Sequence, residues 1–426
     1  MGNVAGIDWA SEQHDVWVSD GAGEELLAAT YAHDEAGLSS LCKALTRLRV
    51  ELVAIERPDG LLVERLLDAG LRVHAIHPNQ MAATRDRFRA AGGKSDRFDS
   101  FVLCELARTD VHRFRVLEPD SDETQALKAL TRARQDIVAS MTAASNQLRA
   151  ELERFLTGPL HLFSDLDSQI SLAFIKRYPS AADTRGLGEQ RLAGFLKAQR
   201  YTGNQTPAGL LEKLRAAPEG RAGQAESAAR RAIVLTLVSQ LQCLHTQLKA
   251  LEKRISSAVR AHPDGEIFLS PFKSPQSFVT AAEFVAEIGD CRERYPTRES
   301  LSADGGQSAV AIESGKRKVA RFRYACNGRL RQSFCVLADS SRHHNPWAQA
   351  LYASALAAGH DHQRAIRTLG RAWSRVLWRC WQDGVPYDPA RHRAYQRHVT
   401  VVIPGEPSPH RYRRDTAYGR LRANNH

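Results

Sequence analysis

Hydrophobic and polar positions follow two rhythms along this chain. Over the first hundred residues the runs are short. "VAGIDWA", "HDVWVSD" and "EELLAATY" are β-type segments, and a helical stretch follows from about Asp34 to Leu48. "ELVAIE" is a buried-strand pattern that ends on a glutamate, "GLLVERLLDAG" reads as a helix with a glycine stop, and "LRVHAIHP" is a strand closed by proline. A third helical segment leads into "GGKSDRFDSFVLCELAR". Three strands followed by alternating helix and strand predict a mixed α/β sheet.

From Glu123 the rhythm changes. Leu127, Leu130, Ile137, Met141, Ala144 and Leu148 recur at three- and four-residue steps, with Arg134 at one intervening position, which predicts a long amphipathic helix. Residues 158 to 221 are shorter elements rich in Gly and Pro. Leu237, Leu241, Leu244, Leu248, Leu251 and Ile255 then form a heptad seam. A helix over residues 222 to 261 would be about 60 Å long at ~1.5 Å per residue. Two readings of this seam stand side by side: an antiparallel hairpin with the first long helix, or an arm that pairs subunits. Residues 263 to about 395 read as a separate helical, basic segment. The expected division is 1–118, 119–262, 263–398 and a basic tail from 399 to 426.

The chain's 426 residues exceed one ordinary core. Its 59 Lys+Arg against 48 Asp+Glu give a net charge of +11. Lys316, Arg317, Lys318, Arg321, Arg323, Arg329 and Arg331 fall in one stretch without an acid, so a nucleic-acid contact is expected there. No apolar run reaches membrane-spanning length, so no membrane partner is expected. "MGNVAGIDWA" has no secretory pattern, and Gly6 stands where myristoylation favours Ser or Thr. Seven scattered cysteines without a C-x-x-C pair argue against structural zinc and fit a cytosolic protein.

Asp8 sits inside a strand-forming run, where Asp is disfavoured, with Ile7 and Trp9 pointing to the opposite face. Glu56 ends another strand. Asp96 and Asp99, three apart, open a helix. Acids at a helix start suit the helix dipole, and they equally suit a metal, because residues three apart share a face. Four hard oxygen donors from separate elements suit two Mg²⁺ or Mn²⁺ ions, which can stabilise both oxygens of a phosphodiester under displacement.

"GIDWA", "AIERPDG", "HPNQ" and "KSDRFDSFVL" resemble the DEDD-type, RuvC-like domain of the bacterial insertion-sequence transposase family numbered one-ten. The similarity continues in order through "NQLRAEL", "DLDSQISLAF", "AEIGDCRERYPTRESL", "ESGKRKVARFRYACNGRLR", "SRHHNPWAQALY" and "WRCWQDGVPYDP". The resemblance implies an RNase H/RuvC-like domain, coiled-coil helices and a helical C-terminal transposase domain. It places an acidic, metal-binding tetrad on Asp8, Glu56, Asp96 and Asp99. In the family's "G-x-x-P-x-x-x-x-S-G" context it places a catalytic serine on Ser314. From the residues alone, Ser-Gly before a basic run reads as a loop.

It further implies donor and target DNA, a noncoding guide RNA encoded beside the gene, and self-association as a homodimer or tetramer. One subunit's acids would then face another's serine, in a bacterial, nucleoid-associated enzyme. Two departures stand out. Ala309 replaces the usual proline, and "LSPFKSPQSFVTAAEFVAEIGD" has no glycine in the turn where the family carries one. Such a turn cannot offer backbone N–H groups to a phosphate in the same relaxed way. Two other readings are a junction nuclease that needs the acids alone and an inactive nucleic-acid-binding repressor. His343, His344, His360 and His362 read as surface or packing residues, and Trp373, Trp378 and Trp381 as helical core.

Overall fold

A computed structural model of the chain describes residues 2–56, 58–88, 95–114, 116–218, 220, 222–314 and 317–399. Lys316 and the tail from residue 400 lie outside the described residues. The chain forms two compact units, Met1–Ser121 and Asp122–His426.

The first unit is a five-stranded sheet of order β3-β2-β1-β4-β5. Its strands are β1 (Asn3–Trp9), β2 (Gln13–Ser19), β3 (Glu25–Ala32), β4 (Val50–Ile55) and β5 (Arg72–Ala75). β1 to β3 are antiparallel neighbours, whereas β4 runs parallel to β1 and β5 parallel to β4. Four helices accompany it: α1 (Glu35–Arg47), α2 (Leu61–Asp68), α3 (Pro78–Phe88) and α4 (Asp96–Asp110). Two-residue alternation sorts the strand side chains. Ala5, Ile7, Val16, Val18, Val53 and Ile55 form one core with Leu38, Leu41 and Leu45 of α1 and Leu62 and Leu66 of α2. Val4, Leu52 and Ala54 form the other with Met81 of α3 and Phe98, Val102 and Leu103 of α4. The result is a mixed sheet between helical layers, with the strand order of an RNase H/RuvC-like domain.

Gly6 on β1 sets how closely α4 approaches. A Cβ there would lie 2.1 Å from the Ser100 carbonyl oxygen and 2.2 Å from the Cys104 amide nitrogen. Only a residue without a side chain lets the helix backbone lie on the strand.

The second unit opens with α5 (Asp122–Phe155), then α6 (Gln169–Arg177), α7 (Ala181–Arg185), α8 (Glu189–Ala198), α9 (Pro207–Ala216) and α10 (Gln224–Ala261). α5 and α10 pack antiparallel. Met141, Ala144 and Leu148 meet Val234, Val238 and Leu241 in one cluster, while Leu127 meets Ile255 and Val259 in another. Arg134 pairs with Glu252 at 2.8 Å and Arg230 with Glu151 at 2.9 Å, fixing the register. Within one chain the heptad seam is therefore the long arm of a hairpin, although Leu244, Leu248 and Leu251 stay only half-buried.

The remainder is α11 (Gly265–Leu269), α12 (Phe278–Ile288), α13 (Arg298–Asp304), β6 (Val310–Ser314), β7 (Arg317–Arg321), α14 (Gly328–Ser341), α15 (Pro346–Ala357), α16 (His362–Asp383) and α17 (Arg393–Val399). Their core holds Phe284, Phe334, Trp347, Trp373 and Trp381, joined by Leu127, Ile255 and Val259 from the ends of the long helices. The region is helical as expected, with one correction: an antiparallel hairpin, β6–β7, interrupts it. The alternation in "VAIES" and "KVARF" around Gly315 carries that signal. The dense run of charge in the same stretch obscures it.

Candidate active site

β1 and β4 run parallel, with Ile7 opposite Ile55. Asp8 and Glu56 are the next residues along the two strands, so both acids lie at the same ends of adjacent strands. Alternation puts Asp8 on the side of Val4 and Gly6, facing α4. Ile7 is buried on the other face and Trp9 packs against that same far core.

α4 brings the other pair. Ser95 caps it, its hydroxyl accepting from the Phe98 amide at 3.2 Å. Asp96 is exposed at the first turn, and Asp99, one turn further in, is 1 % exposed. A buried carboxylate requires a partner. It is Arg85 of α3, which donates through Nε to Oδ1 at 2.6 Å and through a terminal nitrogen to Oδ2 at 2.8 Å. Arg85 is pushed above its ordinary range, first by the hydrogen bond to Asp99 and then by the charges of Asp99, Glu56 and Asp8. Three carboxylates from three elements thus act on one guanidinium. The donor set fits a cation, because one already stands there on this chain's own side chain. Among the described residues, no three of the four acids bring one oxygen each within 4.8 Å of one another.

Asp15 carries no mark of its own in the sequence. It lies directly opposite Asp8 on β2, on the same face of the sheet, and accepts from the Thr30 hydroxyl at 2.7 Å. Only strand register shows this. Arg85 carries no signal either, since nothing in "MAATRDRFR" marks which arginine turns toward Asp99.

Ser314 lies in the second unit, exposed at the end of β6, paired in register with Arg317 of β7. Gly306, at the entry to this hairpin, has φ of +62°, and a Cβ there would lie 2.5 Å from the Arg331 side chain. Of the expected nucleic-acid contacts, Arg321 is exposed. Arg323 donates to the Ser308 carbonyl at 3.0 Å, and Arg329 to Gln135 Oε1 at 2.7 Å. Arg331 donates to the Arg323 carbonyl at 2.6 Å and lies 4.6 Å from the Phe322 ring centre. Arg323 and Arg331 brace the hairpin base as well as supplying charge, whereas Arg329 ties the start of α14 to α5.

Comparison with known proteins now bears on these residues. Residues 5–157 match a family model described as "Transposase", for the DEDD domain of the IS110 type, and residues 276–353 one described as "Transposase IS116/IS110/IS902 family". The candidate transposase of the IS117 mini-circle of Streptomyces coelicolor is 31% identical over 401 residues, 91% of this chain and 95% of that protein. The chain belongs to the IS110 transposase family.

The uncharacterized protein of insertion element IS110, also from Streptomyces coelicolor, is 26% identical over 91% of this chain and 96% of its own. Among solved structures, T. thermophilus RuvC in complex with Holliday junction substrate matches at 16% identity with a TM-score of 0.22, covering 28% of this chain and all of that one. So loose a superposition carries nothing, and the fold assignment rests on the strand order above.

In this family member the four histidines 343, 344, 360 and 362 form no metal-binding group among the described residues. His362 Nδ1 instead meets the Tyr352 hydroxyl at 2.8 Å. Trp373 and Trp381 are fully buried, and Trp378 donates to the Tyr295 carbonyl at 2.8 Å. No helix among the described residues is long and apolar enough to cross a membrane.

Proposed function

We propose that this transposase cleaves and rejoins DNA with Asp8, Glu56, Asp96 and Asp99 as a divalent-metal site and Ser314 as the nucleophile. The observation that carries this reading is that Asp8 and Glu56 follow directly paired residues of adjacent parallel strands, with Asp8 on the sheet face that α4 and its buried Asp99 cover. Carboxylate oxygens of this kind suit Mg²⁺ or Mn²⁺, which when bound would supply positive charge to the scissile phosphate and the departing oxygen. Asp99, buried and fixed, would set the position, and Asp96 would add an exposed ligand one helical turn away.

The Ser314 hydroxyl would attack phosphorus, forming a phosphoserine ester as one P–O bond of the DNA strand breaks. The serine proton leaves, and the departing DNA oxygen ends as a hydroxyl. A second DNA hydroxyl then attacks the phosphoserine, restoring a phosphodiester and the serine. Arg321, Arg317, Lys318 and Lys316, next to the serine in sequence, would hold phosphate charge. Arg323 and Arg331 would do so from the hairpin base, and Arg329 from the first turn of α14.

A noncoding guide RNA and a homodimer or tetramer, with a composite site shared between subunits, complete the proposal. They are supported by family membership and by the basic charge. The deciding experiment is a denaturing gel of end-labelled DNA incubated with protein and Mg²⁺. Wild type forms a protein–DNA adduct, Ser314→Ala forms none, and Asp99→Asn cuts nothing. An adduct that persists in Ser314→Ala moves the nucleophile elsewhere. Strand transfer without any adduct favours a nuclease that uses the acids alone.

A further inference from the structure

α16 carries Arg364, Arg367, Arg371, Arg375 and Arg379, with no acidic residue between Asp361 and Asp383. Steps of three, four, four and four residues keep all five within about 120° of the helix circumference at ~100° per residue. The opposite face is committed to the core through Ile366, Leu369, Trp373, Leu377 and Trp381. Arg379 is offset by Asp383 at 2.7 Å and Arg375 loosely by Glu299 at 3.9 Å. Among the described residues, Arg364, Arg367 and Arg371 have no carboxylate at ion-pairing distance. Arg371 is pulled below its ordinary range, first by partial burial and then by the charge of Arg375. Like charges four apart on a helix destabilise it. A polyanion laid along this face relieves that repulsion.

The hairpin that ends in Ser314 is rooted on this face. Arg371 Nε donates to the Gln307 carbonyl at 2.9 Å. Two guanidinium groups stand over the Phe322 ring, Arg331 at 4.6 Å and Arg367 at 5.3 Å from its centre. A Cβ on Gly370 would lie 2.3 Å from Gln307 Oε1, so the helix surface is notched where the hairpin root sits. Beside Phe322, at 4.9 Å between ring centres, the ring of Tyr324 stands 84 % exposed. A large ring projecting into solvent among fixed cations matches the composition of single-strand binding grooves, where arginines follow the backbone and an aromatic ring accepts a base.

We propose that the arginine face of α16, together with Tyr324, holds a single-stranded stretch of the DNA being cut: the arginines contact successive phosphates and Tyr324 stacks an unpaired base. From Arg364 to Arg375 the stripe is about 17 Å long at ~1.5 Å per residue. The assignment of the strand as substrate DNA rests on the proposed role of Ser314, at the far end of the hairpin this face supports.

The test uses the full-length protein and fluorescence anisotropy with three labelled probes: a blunt DNA duplex, the same duplex with a ten-nucleotide single-stranded extension, and an RNA of the extended sequence. Arg364→Gln/Arg375→Gln is expected to weaken binding of the extended DNA at least tenfold. It should also flatten the log–log salt dependence by about 1 to 2 units, because two phosphates are no longer neutralised. Tyr324→Leu is expected to weaken the extended DNA roughly tenfold, with the blunt duplex and the salt slope unchanged. Unaltered binding of the extended DNA by both variants overturns the proposal. So does a loss confined to the RNA probe, which would assign the face to RNA instead.

The adduct gel separates this proposal from the serine reading. Arginine variants that bind normally while wild type forms the adduct sink the track alone. Variants that lose the extended DNA while wild type forms no adduct sustain the track and sink the serine.

Discussion

At the scale of single residues, Asp99 and Arg85 form a nearly closed ion pair, with side chains 2% and 24% exposed. Removing one member of such a pair leaves an uncompensated charge, at a cost of about 3–5 kcal/mol. Arg85→Gln should therefore unfold at lower denaturant than wild type in EDTA. If the acids bind metal, millimolar Mg²⁺ should recover a large part of that loss, since the ion supplies the missing charge. Urea titrations with and without Mg²⁺ read this directly, and a loss indifferent to Mg²⁺ would detach these carboxylates from metal binding.

His14 offers a second test at this scale. It is fully buried on β2, with Nε2 2.8 Å from His33 Nδ1. Burial first and His33 second lower its pKa to about 4 from 6.5, with Asp15 opposing. The unfolded chain binds this proton near pH 6.5 and the folded chain only near 4. The contribution to stability is thus complete above 6.5 and shrinks as pH falls toward 4. His14→Gln should make the decline of unfolding free energy in that window shallower, by up to about 1.4 kcal/mol per pH unit. Equal slopes in chemical denaturation of the two proteins would refute the assignment.

Among elements, the α5–α10 hairpin shows how one pattern serves two contacts. Val234, Leu237, Val238, Leu241, Ile255 and Val259 are buried, but Leu244, Leu248 and Leu251 between them are not fully covered by α5. Leu241→Ala should cost about 2–5 kcal/mol in urea unfolding, as for any buried leucine whose site cannot collapse. Leu244→Asp/Leu248→Asp should lower the mass seen in light scattering if the half-covered seam completes its burial on a second subunit. An unchanged mass with reduced stability would confine the seam to the hairpin. The β6–β7 hairpin is the other telling element. Val310, Ile312 and Val319 are among its exposed residues, so packing to a core does not explain its alternation.

For the whole molecule, a net charge of +11 predicts binding dominated by phosphate contacts. The logarithm of the duplex-DNA binding constant should fall linearly with the logarithm of salt concentration, with a slope near −0.9 per neutralised phosphate. Measured between 50 and 300 mM KCl, a flat response would remove the basic surfaces from the account.

Much of the architecture was written in periodicity. The five strands of the sheet, the four helices around it and the two long helices announce themselves by two-residue and 3.6-residue spacing, because burial on one face imposes that spacing. An acid inside β1, near its end, and another just past the end of β4 stood out because local propensity opposes or does not require them. What periodicity cannot carry is the partner of each group. That Asp99 turns inward onto Arg85 while Asp96 stays in solvent, that Asp15 lies across from Asp8, and that Gly6 admits the α4 backbone all follow from register and close approach. Those are distances between residues far apart in the chain. The arginines of α16 were visible as letters. They became one surface only when Trp373 and Trp381, fixed in the core, decided which side of the helix faces water.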